Sequence, residues 1–162
     1  MTIGVYPGSF DPITLGHLDI IKRSAPMFDK LIVTVMNNTQ KNALFSVAER
    51  MDFITRATTD IKNIEVDTFS GLLADYTAQK CATAIVRGLR AMSDFEYEFQ
   101  MALTNKKLNP NVETIFLTTS VEYLFLSSSI VKEIARFGRE ISNFVPPQIL
   151  EDIQARIHDE IK

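Results

Sequence analysis

Apolar residues recur along this chain in two alternating rhythms. Short runs rich in Val, Ile, Thr and Phe, at 3–6, 31–36, 64–67, 84–87 and 114–117, have the length and composition of buried strands. Between them, helix-period patterns occupy 15–24, 47–58, 72–80 and 94–108. Strand alternating with helix predicts a parallel sheet with right-handed crossovers. The expectation is one α/β domain over residues 1–162: a Rossmann-like, doubly wound sheet of five parallel strands flanked by helices. Pro146-Pro147 then opens a C-terminal helix, since proline is tolerated where the first N–H groups have no intrahelical partner. Ile149, Ile153, Ile157 and Ile161 give that helix an apolar stripe.

Helix starts carry their own signals. Ser46-Val47-Ala48-Glu49 and Ser93-Asp94-Phe95-Glu96 both fit the capping box. In the second of these helices Phe95, Phe99, Ala102 and Leu103 share one face, which reads as core or subunit interface. Ser127-Ser128-Ser129 precedes a further helical stretch ending near Gly138.

Charge and composition narrow the partners. The net charge is −3, which argues against nucleic acid as the main ligand, because such binding rests on spread-out Lys and Arg contacts. A few cations focused in one cleft still suffice for a small anion. No apolar run approaches the length of a bilayer span, and the first residues lack a secretory pattern, so a cytoplasmic protein without membrane contact is expected. The single cysteine, Cys81, has no partner for a disulfide or a metal site and reads as a small buried thiol.

In a parallel α/β sheet, ligands bind beyond the carboxyl ends of the strands. That rule points to 7–17, 37–45, 69–73, 87–91 and 120–129. In the first, Tyr6-Pro7-Gly8-Ser9-Phe10-Asp11-Pro12-Ile13-Thr14-Leu15-Gly16-His17 runs from strand to helix start. Gly8 suits close approach of backbone to a ligand. Gly16 and His17 fall in a first helical turn, where N–H groups and the dipole favour phosphate. An imidazole there can donate to a phosphoryl oxygen as charge builds.

Tyr-Pro-Gly-Ser-Phe-Asp-Pro followed by Thr-Leu-Gly-His resembles the signature of the nucleotidyltransferase superfamily. Lys41, Phe69-Ser70-Gly71-Leu72-Leu73, Arg87-Gly88-Leu89-Arg90-Ala91 with Asp94-Phe95-Glu96-Tyr97-Glu98, and Ser127-Ser128-Ser129 with Val131-Lys132-Glu133 extend the likeness. Together they resemble the phosphopantetheine adenylyltransferase family, over nearly the whole chain.

The resemblance implies transfer of AMP from ATP to 4′-phosphopantetheine, giving dephospho-coenzyme A and pyrophosphate, with Mg2+ accompanying ATP and a homohexameric assembly. It implies His17 as the catalytic group and Ser9, Lys41, Leu73 and Arg87 as acceptor-binding residues. For ATP it implies Ser9, Phe10, His17, Gly88, Leu89, Arg90, Glu98, Tyr123, Leu124, Phe125, Leu126, Ser127, Ser128 and Ser129. No protein-held metal site is implied. Ser9 stands where threonine is common, Asn42 where a second lysine is frequent, and Tyr123-Leu124 where an aromatic-serine pair is usual; these departures bear on affinity. A sister adenylyl- or cytidylyltransferase with another acceptor, or a catalytically silent nucleotide-binding regulator, are the competing readings.

Overall fold

The computed structural model describes residues 1–37 and 42–161, and the side chains of Met92, Ser93 and Ile161 are not part of that description. Five strands form one sheet: β1 (Ile3–Gly8), β2 (Lys30–Met36), β3 (Ile64–Phe69), β4 (Ala84–Leu89) and β5 (Glu113–Thr118). All pairings are parallel and the order is β3-β2-β1-β4-β5. The helices are α1 (Leu15–Ser24), α2 (Val47–Ala57), α3 (Leu73–Gln79), α4 (Met92–Leu108), α5 (Ser128–Arg136) and α6 (Leu150–Ile161).

Alternation along the strands sorts the core into two layers, because successive side chains leave a strand on opposite faces. Leu31, Val33 and Val35 of β2 and Ala84 and Val86 of β4 join Ile20, Ile21, Phe53, Ile54, Val131, Ile153 and Ile157 from α1, α2, α5 and α6. Ile3, Val5 and Ile32 turn to the other face and meet Tyr76 of α3. The apolar stripe of the last helix is thus a docking stripe: Ile149, Ile153 and Ile157 are buried. Its fourth member, Ile161, lies outside the described side chains.

Pairing between the two central strands stops early. β1 runs beside β2 as far as Gly8↔Val35, and β4 beside β5 as far as Leu89↔Thr118, but β1 and β4 pair only at Gly4↔Ala84 and Val5↔Ile85. Pro7 supplies a reason. Its carbonyl faces β4, where it accepts from Arg87 Nη1 at 2.8 Å, and a strand residue sends its N–H and C=O to the same edge. Proline has no N–H to send. The sheet therefore parts at the point where its strand order reverses.

Two expectations change. Cys81 is exposed; it follows the end of α3 with φ +50°, the left-handed position at which a helix terminates and turns its side chain outward. The second capping box does not form, because α4 begins at Met92 with extended Ala91 as its cap and no side-chain cap bond. At α2 the box is present, with Ser46 and Glu49 satisfying each other's N–H groups.

Truncation at the centre of the α6 stripe tests its contribution. Ile153→Ala should cost about 2–5 kcal/mol, read as a lower urea midpoint at unchanged slope; a midpoint equal to the parent's would show that α6 is not part of the core.

Candidate active site

The parted strands open a cleft of about 470 Å³ lined by Tyr6, Pro7, Gly8, Ser9, Phe10, His17, Arg87, Gly88, Arg90, Leu126 and Ser127–Ser129, among others. A neighbouring, more apolar cleft of about 360 Å³ shares Pro7, Gly8, Ser9, Arg87, Tyr97 and Glu98 with it and continues along Leu72, Leu73, Met101 and Asn105. Groups from all three stretches after β1, β4 and β5 therefore meet in one place, with Ser9 and Arg87 on the boundary of the two spaces.

His17 is held by the start of its own helix. The Thr14 N–H donates to Nδ1 at 3.1 Å, while Thr14 Oγ1 accepts from the His17 N–H at 3.3 Å. This is a capping box with histidine in the place usually taken by glutamate. A backbone N–H can only donate, so Nδ1 is the acceptor and the proton of the neutral ring resides on Nε2. Burial, then the charges of Arg90 and Arg87, push the pKa down to about 4 from an ordinary 6.5. The ring also meets Phe10 edge-on, 5.1 Å between centroids. The result is a fixed, uncharged imidazole whose Nε2–H has no partner among the described residues.

Both arginines of the cleft are anchored before any ligand arrives. Arg87 grips Glu98 of α4 with Nε at 2.7 Å and with Nη2, and gives Nη1 to the Pro7 carbonyl. Two of its five N–H donors remain unassigned on a side chain that borders both clefts. Arg90 donates to Asp94 at 3.1 Å and to the Leu126 carbonyl at 3.1 Å. Glu98, expected in the nucleotide pocket, lines the cleft as the partner of Arg87.

At α5 the hydroxyl of Ser127 accepts from the Ile130 N–H at 3.2 Å, and Ser128 Oγ donates to the Pro12 carbonyl at 2.7 Å. Ser128 thus spends its proton within the fold, whereas Ser127 is used only as an acceptor and its O–H has no acceptor among the described residues. The N–H groups of Ser128 and Ser129 are not bonded within the described residues, and no acid sits in this first helical turn. The helix end thus offers donors and a positive dipole end to an anion.

The other expected residues fall in several places. Leu73 lines the second cleft. Phe10 is only 1% exposed, so its ring is core and only its backbone can reach a ligand. That ring also explains Gly8, where a Cβ would lie 2.9 Å from it. Leu89, Tyr123, Leu124 and Phe125 are not in the cleft wall; Phe125 is largely exposed and packs on Phe144. Lys41 lies outside the described residues.

Sequence reading quoted Asp11, Thr14 and Lys132 within motifs without giving them a role, and did not single out Asn105. Asp11 accepts from the Leu44 and Phe45 N–H groups at 3.0 and 2.9 Å and pairs with Lys132 at 2.8 Å. These bonds outweigh its burial and hold its carboxyl below the usual range, tying the β1–α1 loop to α5. Asn105 is 6% exposed, lines the second cleft, and finds no side-chain partner among the described residues. Thr14 was legible, since T-x-x-H has the spacing of a capping box; the other three depend on contacts across the fold.

Comparison with known proteins places this geometry. The family profile described as cytidylyltransferase-like matches residues 5–134. A phosphopantetheine adenylyltransferase of Caldanaerobacter subterraneus subsp. tengcongensis is 58% identical over 96% of this chain and 98% of its own length. The enzyme of the same name from Clostridium tetani is 56% identical over 94% of this chain and 96% of its own. Among solved structures, a nicotinic acid mononucleotide adenylyltransferase of Plasmodium falciparum complexed with NaAD superposes with TM-score 0.65, covering 98% of this chain and 95% of that one at 15% identity, a likeness of fold. No helix among the described residues is long and apolar enough to cross a membrane. The profile sets the cytidylyltransferase-like frame, and by identity and length covered the chain belongs to the phosphopantetheine adenylyltransferase family.

Proposed function

We propose that this protein transfers AMP from ATP to the phosphate of 4′-phosphopantetheine, forming dephospho-coenzyme A and releasing pyrophosphate, in the cytoplasm. The observation that carries the reading is the convergence of a neutral, capped His17 with anchored Arg87 and Arg90 and the open end of α5 on one crevice. Membership of the family supplies the acceptor.

The acceptor phosphate is itself a nucleophile, so the protein need only align it with the α-phosphorus and stabilise charge. ATP would lie in the larger cleft with its β- and γ-phosphates toward the N–H groups of Ser128 and Ser129 and toward Arg90. The acceptor would extend along the more apolar cleft, its amides within reach of Asn105, with Ser9 and Arg87 holding its phosphate at the junction and Lys41 adding charge. The His17 Nε2–H would donate to an α-phosphoryl oxygen. A neutral donor suits that step, because it releases no proton that must be recovered. Magnesium would arrive on the triphosphate and spread its charge. Among the described residues no three His, Cys, Asp or Glu side chains gather to cage an ion, so substrate oxygens and water would be its ligands.

Self-association fits the exposed stripe on α4, where Phe95, Phe99 and Leu103 remain in solvent in a single chain. A homohexamer is the assembly proposed for it.

Pyrophosphate release, measured with ATP and either 4′-phosphopantetheine or nicotinate mononucleotide, should occur with the first acceptor only; release with the second alone would reassign the protein. His17→Ala should lower kcat by at least ~10²-fold with little change in either KM, the cost of one transition-state donor, and a kcat within a few-fold of the parent would reject the role. In the free protein, NMR titration of His17 should give a midpoint near 4. Because the unfolded chain binds this proton more readily, the stabilising contribution of His17 is complete above about 6.5 and is lost as pH falls toward 4. A midpoint near 6.5 would mean that the ring is not held as described.

A further inference from the structure

Arg50 of α2 is 5% exposed and carries a charge that burial does not remove. Its neighbours on the helix make ion pairs, Glu49 with Arg156 and Asp52 with Arg56. Arg50 makes none among the described residues. Its guanidinium donates through Nη1 to the Ser9 carbonyl at 2.8 Å and, at longer range, through Nε to the Ser46 carbonyl at 3.4 Å. A buried cation answered by carbonyls alone is a costly way to stabilise a fold.

The position of the accepting carbonyl gives the cation a use. Ser9 precedes Phe10, which has φ +47°, a conformation that a bulky residue rarely adopts and that persists only where its surroundings fix it. The Ser9–Phe10 peptide is trans, so its C=O and N–H point in opposite directions. With the carbonyl turned toward Arg50, the Phe10 N–H is turned away from α2. It donates to no acceptor among the described residues. Ser9, Phe10 and His17 together form one stretch of the cleft wall.

Resting on the adenylyl-transfer reading, we propose that Arg50 is a positioning residue: by clamping the Ser9 carbonyl it presents the Phe10 N–H to a non-bridging phosphoryl oxygen of bound ATP, beside the Nε2–H of His17. Arginine suits the task because the second bond, to the Ser46 carbonyl, orients its planar guanidinium and so fixes the direction from which Nη1 meets the Ser9 carbonyl, where a lysine ammonium would fix only a distance. The same side chain also borders a smaller space of about 240 Å³ with Ser9, Asn42, Ser129 and Lys132. Lys132 is answered there by Asp11, so among the described residues lining that space the cation without an ion pair is Arg50.

The test uses 15N-labelled full-length parent, Arg50→Gln and Arg50→Lys, with ATP as the probe. In the parent, saturating ATP should move the Phe10 amide resonance downfield. In Arg50→Gln that movement should largely disappear and kcat should fall by ~10–10²-fold, while KM for 4′-phosphopantetheine changes by no more than about threefold. Arg50→Lys keeps the charge without the fork and should recover only part of both. A Phe10 resonance indifferent to ATP in the parent overturns the proposal, as does an equal response in folded Arg50→Gln or a kcat unchanged in it. If Arg50→Gln does not fold, a full Phe10 response and full kcat in Arg50→Lys overturn the fork, and a partial response supports it. A Phe10 response that depends on Arg50 supports the clamp even where the parent prefers a different acceptor, an outcome that would defeat the functional reading alone.

Discussion

Everything in this site depends on two central strands ceasing to pair. Hydrogen bonds between β1 and β4 end after Val5 and Ile85, although each strand continues beside its outer neighbour. The interruption falls at a proline whose carbonyl is taken by an arginine side chain instead of a strand amide. A continuous ladder would close the sheet and bury Gly8 and Gly88 between strands. With the ladder broken, both strand ends, the turn into α1 and the start of α5 face a shared space. Arg87 acts here as a strut, since it spans the gap and leaves donors at the junction of the two clefts.

Around that gap the protein arranges charge in advance. Arg87 is set by Glu98, Arg90 by Asp94 and the Leu126 carbonyl, Lys132 by Asp11, and the imidazole of His17 by Thr14. Long basic side chains lose substantial rotamer freedom when a ligand immobilises them. Here much of that loss is incurred on folding, so less is charged to binding. The two kinds of donor then differ in role. The arginines keep their charge throughout and make the cleft a positive one. The histidine is held neutral by burial and by those same arginines, and offers one directed hydrogen bond.

The two faces of the sheet are unequally served. One is covered by α1, α2, α5 and α6 and holds most of the core. The other has α3 and α4, and α4 leaves Phe95, Phe99 and Leu103 in solvent. The second cleft lies on this less covered side, against Met101 and Asn105 of α4. A helix whose inner edge lines the second cleft and whose outer edge is apolar joins that space to whatever covers α4.

Periodicity alone was enough for the elements, because strand and helix repeats are local and the apolar positions that produce them are the ones the core uses. The expected strands and helices lie where they were read, to within a few residues. The motif after β1 was legible too, since Tyr-Pro-Gly-Ser-Phe-Asp-Pro and Thr-Leu-Gly-His keep their residues within one turn of chain. Local spacing was less dependable at termini: a Ser-x-x-Glu pattern that forms a capping box at Ser46 does not at Ser93, because α4 begins at Met92, two residues before the start such a cap requires. What only the tertiary structure decided is which of several polar groups are free. Ser127 and Ser128 look alike in sequence, yet the proton of Ser128 is spent on the Pro12 carbonyl while Ser127 accepts from the Ile130 N–H and keeps its own. Glu98, expected to contact the nucleotide, lines the cleft and also anchors Arg87, and Arg50, which no local pattern singles out, has its carbonyl partner 41 residues away. Such assignments depend on partners distant along the chain, and a hydrogen-bond donor is available to a ligand only if no nearer acceptor in the folded protein has taken it.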